Sequence, residues 1–187
     1  RIVIGKDTRR SSYMFEYALV AGITASGSDA FLLHVTTTPS VAYVVRTENF
    51  DCGIMVSASH NPYYDNGIKV LDSEGHKISA DVEAALEKYI DGESGELPFA
   101  TLDKIGVAKD YAIGRNRYVG FLISLATRSY NGMRVGLDCS NGSSFNIAKS
   151  VFDALGAKTY VVGNEPDGTN INMGCGSTHI ENLQKLV

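Results

Sequence analysis

The sequence predicts an α/β fold: a mixed sheet flanked by helices, followed by the start of a second, similar α/β domain. Three observations carry this. Short apolar runs of strand length alternate with stretches of helical period. One strand is followed by an Asn66-Gly67 turn that sends the chain back on itself, which adds a returning strand to the rhythm. The rhythm then halts at Ser129-Tyr130-Asn131-Gly132 and begins again.

Ile2–Ile4 reads as the first strand. Ser11 or Ser12 is placed to cap a helix, with Phe15, Ala18, Leu19, Gly22 and Ile23 as one apolar stripe and Gly27 as its stop. Phe31–Leu33 is the next strand. Pro39 opens a second helix that runs to about Arg46, proline being suited to a first helical turn. Gly53–Ser57 is the third strand and Ile68–Leu71 the returning one, and Ser79 starts a third helix ending near Asp91-Gly92. From Gly92 to Ala108 composition shifts to Gly, Pro and charge, which reads as a loop. Lys109–Thr127 is helical again, with Tyr111, Tyr118, Phe121, Leu122 and Leu125 apolar. This helix is expected to link two domains, residues 1–128 and 129–187. Beyond it come a strand at Arg134–Asp138, a helix over Ser143–Leu155 stopped by Gly156, and a strand at Thr159–Val162.

The bulk numbers restrict the class. A chain of 187 residues holds one domain with a solid core, or one domain and part of another. With 44% hydrophobic and 20% charged residues it falls among globular proteins. No run reaches the roughly 18 apolar residues that span a bilayer, and no signal-peptide pattern opens the chain. Arg1-Ile2-Val3-Ile4-Gly5 reads instead as a strand caught mid-protein. A net charge of -4 without a long basic run argues against nucleic acid and anionic membrane as partners. Three scattered cysteines, Cys52, Cys139 and Cys175, argue for a reducing, cytoplasmic setting rather than for disulfides or zinc.

The informative stretch runs from Gly53 to Lys69. A buried apolar strand delivers Ser57, Ser59, His60 and Asn61 into a loop closed by Pro62, and Lys69 lies on the returning strand. Strand ends that lift small polar residues into a loop are where α/β proteins place reactive groups. Ser59 follows Ala58, so its hydroxyl is open to approach. His60 can supply a proton donor and Lys69 a positive charge, both of use where a phosphoryl group moves. Clusters of Ser, Asn, Pro, Asp and Gly are also ordinary turn chemistry.

The order of residues goes further. Ser57-Ala58-Ser59-His60-Asn61-Pro62, followed by Asp65-Asn66-Gly67-Ile68-Lys69, resembles the phosphoserine loop of the α-D-phosphohexomutase superfamily, and within it the phosphoglucosamine mutase branch. Gly5-Lys6-Asp7-Thr8-Arg9-Arg10-Ser11, Thr38-Pro39, Asp138-Cys139-Ser140-Asn141-Gly142, Glu165-Pro166-Asp167-Gly168 with Asn170-Ile171-Asn172, and Cys175-Gly176-Ser177-Thr178-His179 are similar to family segments in the same order. Thr37 departs from the usual Pro, and Ser143-Ser144 from the usual Gly-Ala.

The resemblance implies an isomerase interconverting glucosamine 6-phosphate and glucosamine 1-phosphate. Ser59 would be the phosphoserine, passing its phosphoryl group through a bisphosphate intermediate, with hexose 1,6-bisphosphate as activator. It would also give one ligand to Mg²⁺. His60 and Lys69 would assist catalysis, and Ser57 would brace the loop. Arg9 is read as a helix-entry or domain-interface residue, Asp138 and Asn141 as fold-making, and His179 as a helix-start residue. The family's Asp-Gly-Asp-x-Asp-Arg metal loop does not occur in this sequence, nor do its Gly-Glu-x-Ser-Gly-His sugar loop and its Arg-x-Ser-Gly-Thr phosphate loop. The expectation is therefore an amino-terminal fragment, inactive alone, whose partner is a hexose phosphate and whose assembly is compatible with a homodimer. The alternatives are a phosphomannomutase/phosphoglucomutase and a non-catalytic sugar-phosphate-binding domain. A serine hydrolase is disfavoured: adjacent Ser59 and His60 cannot adopt triad geometry, and no G-x-S-x-G elbow is present.

Overall fold

The computed structural model describes residues 1–186. Its first sheet comprises β1 (Ile2–Lys6), β2 (Ala30–Val35), β3 (Cys52–Val56), β4 (Ile68–Leu71) and β5 (Ala108–Asp110), in the spatial order β4-β3-β1-β2-β5. β4 is antiparallel to β3 and every other pair is parallel, so the sheet is mixed. Helices α1 (Arg10–Ala25) and α2 (Thr38–Thr47) connect β1 to β2 and β2 to β3; α3 (Ala80–Ile90) follows β4, and α4 (Ala112–Ser124) follows β5. A second, two-stranded parallel sheet pairs β6 (Arg134–Asp138) with β7 (Lys158–Val162), with α5 (Ala148–Ala154) between them and α6 (Glu181–Leu186) after them. Val187, the last residue of the predicted second domain, lies outside the described residues.

Alternation along the strands assigns α1 and α2 to opposite faces. Val3, Phe31, Leu33 and Met55 join Val41, Val44 and Val45 of α2, while Ile4, Ala30 and Ile54 join Leu19, Val20 and Ile23 of α1. Two glycines let α2 approach the sheet closely. A Cβ on Gly5 would stand 2.5 Å from Val41 Cγ2, and one on Gly53 would stand 2.5 Å from Val45 Cγ2.

Several elements differ from the sequence expectation. Neither Ser11 nor Ser12 caps α1; both lie inside its first turn, and Arg9 holds the N-cap position without a side-chain cap bond. Asp7 organises that turn instead, its Oδ1 accepting from the Arg9 N–H (3.0 Å) and the Ser12 hydroxyl (2.7 Å). The inward face of α1 carries Ser12, Glu16 and Ile23, whereas Ala18 and Gly22 of the predicted stripe are exposed. The rotation follows from Lys6 at the end of β1, whose ammonium pairs with Glu16 inside the protein, both side chains being almost wholly buried. A buried charge must meet its counterpart, and that requirement outweighs the apolar period.

Lys109 and Asp110, expected in a helix, belong to β5. Ala108, Lys109 and Asp110 pair with Ala30, Phe31 and Leu32. The predicted loop between Gly92 and Ala108 also contains a single 3₁₀ turn at Leu102–Lys104. The helix expected from Ser143 begins only at Ala148, because Phe145 and Ile147 spend their N–H groups in successive turns onto Gly142 and Ser144. The helix expected as a link is packed into the structure. Tyr118 of α4 clusters with Ile147 and Val151, and Tyr43 of α2 stacks on Phe121 at 4.6 Å between centroids.

Candidate active site

The carboxyl ends of β1, β2 and β3 open on one side of the sheet, where an α/β fold places ligands. A cavity of about 380 Å³ lies there. Its lining comes from the first unit (Asp7, Thr37, Thr38, Ser57, Ser59, His60, Lys69) and from the second (Cys139, Ser140, Ser143, Ser144, Asn172, Ser177). The three predicted catalytic residues are thus brought to one cavity. A larger hollow of about 510 Å³ in the second unit, lined among others by Asn141, Lys149 and Glu165, contains none of them.

The Ser59 loop is held through its backbone. Ser57 N–H donates to Gly67 O at 2.8 Å, and Lys69 Nζ donates to Ser57 O at 2.8 Å, so the returning strand ties down the start of the loop. Ser57 Oγ accepts from the Ser59 N–H at 3.2 Å, the bracing role read from the sequence. Asn61 N–H donates to Ala58 O at 3.2 Å, and its side-chain amide donates to Asp65 at 3.1 Å. Ser59 itself sits at φ 56°, the left-handed region that residues other than Gly, Asn and Asp avoid. Strain of this kind persists only where the surroundings over-determine it.

Arg9 supplies much of that determination. It is fully buried, pairs with the equally buried Asp7, and turns its other N–H groups on the loop carbonyls of Asn61 (2.6 Å), Ser59 (3.3 Å) and Pro62 (3.4 Å). Its reading as a helix-entry residue holds, and the structure adds a grip on the Ser59 loop. With backbone groups so engaged, Ser59 presents an exposed hydroxyl that makes no hydrogen bond among the described residues. His60 is likewise exposed at the cavity and makes no loop-bracing bond among the described residues.

The second unit meets the first at the same place. Thr8 Oγ1 donates to Asn141 O at 2.5 Å, and Arg10 N–H donates to Gly168 O at 2.9 Å. Asp138 and Asn141 brace the unit internally. The Asp138 carboxylate accepts from the Ser140 and Gly176 N–H groups, and Asn141 Oδ1 accepts from the Glu165 N–H. His179 lies two residues before α6 and donates its N–H to Gly176 O, so it sits ahead of the helix rather than in it. Thr37, the departure from the family's Pro, caps α2 by accepting from the Ser40 N–H at 3.4 Å. Cys139 brings a thiol to the same cavity. Burial pushes its thiol up, which disfavours the nucleophilic thiolate.

No role was legible in the sequence for Asp7 or Asn172, and the start of α2 at Thr38-Pro39 was legible as a helix start but not as part of the site. The motif segments containing them were visible, but only the fold shows that they converge on Ser59. The sequence expectation gives magnesium one ligand in this chain, Ser59, which lines the cavity beside a single carboxylate, that of Asp7. No group of three or more His, Cys, Asp or Glu residues stands together among the described residues. A hard cation that takes about six oxygens is not held by these residues alone. No helix among the described residues is long and apolar enough to cross a membrane.

Comparison with known proteins agrees with this picture. The family model for phosphoglucomutase/phosphomannomutase, alpha/beta/alpha domain I, matches residues 1–96. The phosphoglucosamine mutases of Lachnospira eligens and Lachnoclostridium phytofermentans are 70% and 67% identical over 187 residues, all of this chain. The chain spans 42% of the length of each of these relatives. A phosphoglucomutase/phosphomannomutase family protein from Burkholderia thailandensis superposes with a TM-score of 0.79 at 23% identity, over 100% of this chain and 40% of that one, which is a likeness of fold. On the match of its first 96 residues, which supply β1 to β4 of the sheet, this chain belongs to the phosphoglucomutase/phosphomannomutase family.

Proposed function

We propose that the chain is the amino-terminal part of a phosphoglucosamine mutase, which moves a phosphoryl group between the 6- and 1-positions of glucosamine through Ser59. The observation that carries this is Ser59 itself. Its backbone is fixed in a left-handed turn by bonds from both units, while its hydroxyl stands free at a cavity they share. The identity of 70% with a curated phosphoglucosamine mutase supports the choice of branch.

In the proposed reaction, phosphorylated Ser59 faces a sugar hydroxyl. The bond from the serine oxygen to phosphorus breaks as the sugar oxygen bonds to phosphorus, and the sugar's hydroxyl proton leaves to a base. His60, which lines the same cavity, would take that proton and return it to the departing serine oxygen. Lys69, anchored on Ser57 O, puts positive charge beside the transferring oxygens. The bisphosphate turns over, and Ser59 accepts the other phosphoryl group. Hexose 1,6-bisphosphate would prime an unphosphorylated Ser59. When bound, Mg²⁺ would neutralise charge on the phosphoryl oxygens, with Ser59 as one ligand and the rest from outside these 187 residues. A hexose phosphate is the partner, the setting is cytoplasmic, and a homodimer is compatible with the reading.

The test is made on the full-length protein. Peptide mass spectrometry should find one phosphate on Ser59 after incubation with a hexose 1,6-bisphosphate, and Ser59→Ala should remove nearly all turnover while leaving the protein folded. Phosphate on Ser57 only, or on neither, counts against the assignment. Glucosamine phosphate should exceed glucose and mannose phosphates in kcat/KM. A reversal by about tenfold would move the protein to the phosphomannomutase/phosphoglucomutase reading with the serine mechanism intact.

A further inference from the structure

Asn172 reaches across from the second unit to the Ser59 loop. Its Nδ2 donates to Ser59 O and to Asn61 O, both at 3.0 Å. These are two of the carbonyls that Arg9 Nη2 grips from the first unit, at 3.3 and 2.6 Å. The loop is therefore held from two sides, by the head of α1 in the first unit and by a turn of the second. Asn172 is itself fixed, with its N–H on Ser140 O at 2.9 Å and its backbone at φ 59°, a conformation that asparagine tolerates well. An amide side chain suits this place: both of its N–H bonds can go to carbonyls, and it brings no net charge to a cavity meant for phosphate.

We propose that Asn172 is a positioning residue, a latch by which the second unit holds the Ser59 loop in the left-handed geometry that presents the hydroxyl. The proposal rests on Ser59 as the phosphoryl carrier for its kinetic consequence, and on geometry alone for its structural one. Without the latch, Arg9 and Ser57 are the only direct hydrogen-bond partners left to the Ser59 backbone among the described residues. The hydroxyl then spends less time aligned for in-line transfer, and rate suffers before binding does.

The experiment compares Asn172→Asp and Asn172→Gly with the parent in the full-length protein. Aspartate keeps the size and the backbone preference but sets oxygen against two carbonyl oxygens. Glycine suits the same φ and removes the donors without adding repulsion. Amide hydrogen exchange across residues 58–61 should rise about tenfold in Asn172→Asp and less in Asn172→Gly, with the rest of the second unit unchanged. In the same order kcat should fall, by about tenfold for Asn172→Asp, with KM within about twofold of the parent. Loop exchange that matches the parent in both variants overturns the proposal. So does faster exchange throughout the second unit, which would make Asn172 a packing residue only. A parent that turns over no hexose phosphate and carries no phosphate on Ser59 sinks the mutase reading instead, and the exchange result still decides the latch.

Discussion

The guanidinium of Arg9 bears on both stability and site geometry, and its removal should be costly in a predictable way. Arg9 is 0% and Asp7 1% exposed, and each is the other's ionic partner. Arg9→Met keeps the length of the stem but leaves the Asp7 carboxylate buried with only the Arg9 N–H and the Ser12 hydroxyl to satisfy it. Breaking one side of a buried pair costs about 3–5 kcal/mol. The carbonyls of Ser59 and Asn61 keep Asn172 as donor, so no further penalty is counted for them. For a domain of this size, about 3 °C per kcal/mol puts the fall in Tm at about 9–15 °C. Scanning calorimetry of the full-length protein would read it as an earlier transition of the unit that carries Arg9. Asp7→Asn on top of Arg9→Met removes the stranded charge and should regain about 1–3 kcal/mol. A single variant that melts within about 3 °C of the parent, or a double variant no better than the single, would refute the reasoning.

Two more predictions follow from contacts elsewhere. Gly5→Ala places a methyl group 2.5 Å from Val41 Cγ2 and 2.8 Å from Thr36 Cγ2, so α2 must shift; a loss of about 1–3 kcal/mol in denaturant titration is expected, and a neutral result would mean that α2 is not seated as described. Glu48 works against burial, which raises its pKa, but hydrogen bonds from Arg117 and Tyr111 outweigh it and hold the carboxyl below the ordinary value. A group with a depressed folded pKa stabilises above its unfolded pKa, about 4.3 for Glu, and loses that contribution as pH falls through the folded value. The stability gap between the parent and Glu48→Gln should therefore be full at neutral pH and close progressively below about pH 4.3; a gap independent of pH would remove Glu48 from this role.

The reading of the chain in one dimension succeeded where the deciding physics is local. The apolar runs at Ile2–Ile4, Phe31–Leu33 and Arg134–Asp138 are strands, Pro39 lies in the first turn of its helix, and the Asn66-Gly67 turn returns β4 antiparallel to β3 over Ile68–Leu71. Each of these depends on neighbours a few residues away. The stretch from Ser57 to Lys69 could likewise be singled out, because its order of small polar residues is written contiguously. What failed needed a partner distant in sequence. The facing of α1 was set by the buried pairing of Lys6 with Glu16, and β5 exists because Ala30–Leu32 offers it a free edge. The conformation of Ser59 is the clearest case. Nothing in Ser-Ala-Ser-His-Asn-Pro implies φ 56°; it is imposed by Arg9 from the head of α1 and by Asn172 from a turn of the second unit. A left-handed serine costs free energy that local sequence cannot offset, so only tertiary hydrogen bonds from both units can hold the hydroxyl where a phosphoryl group could reach it.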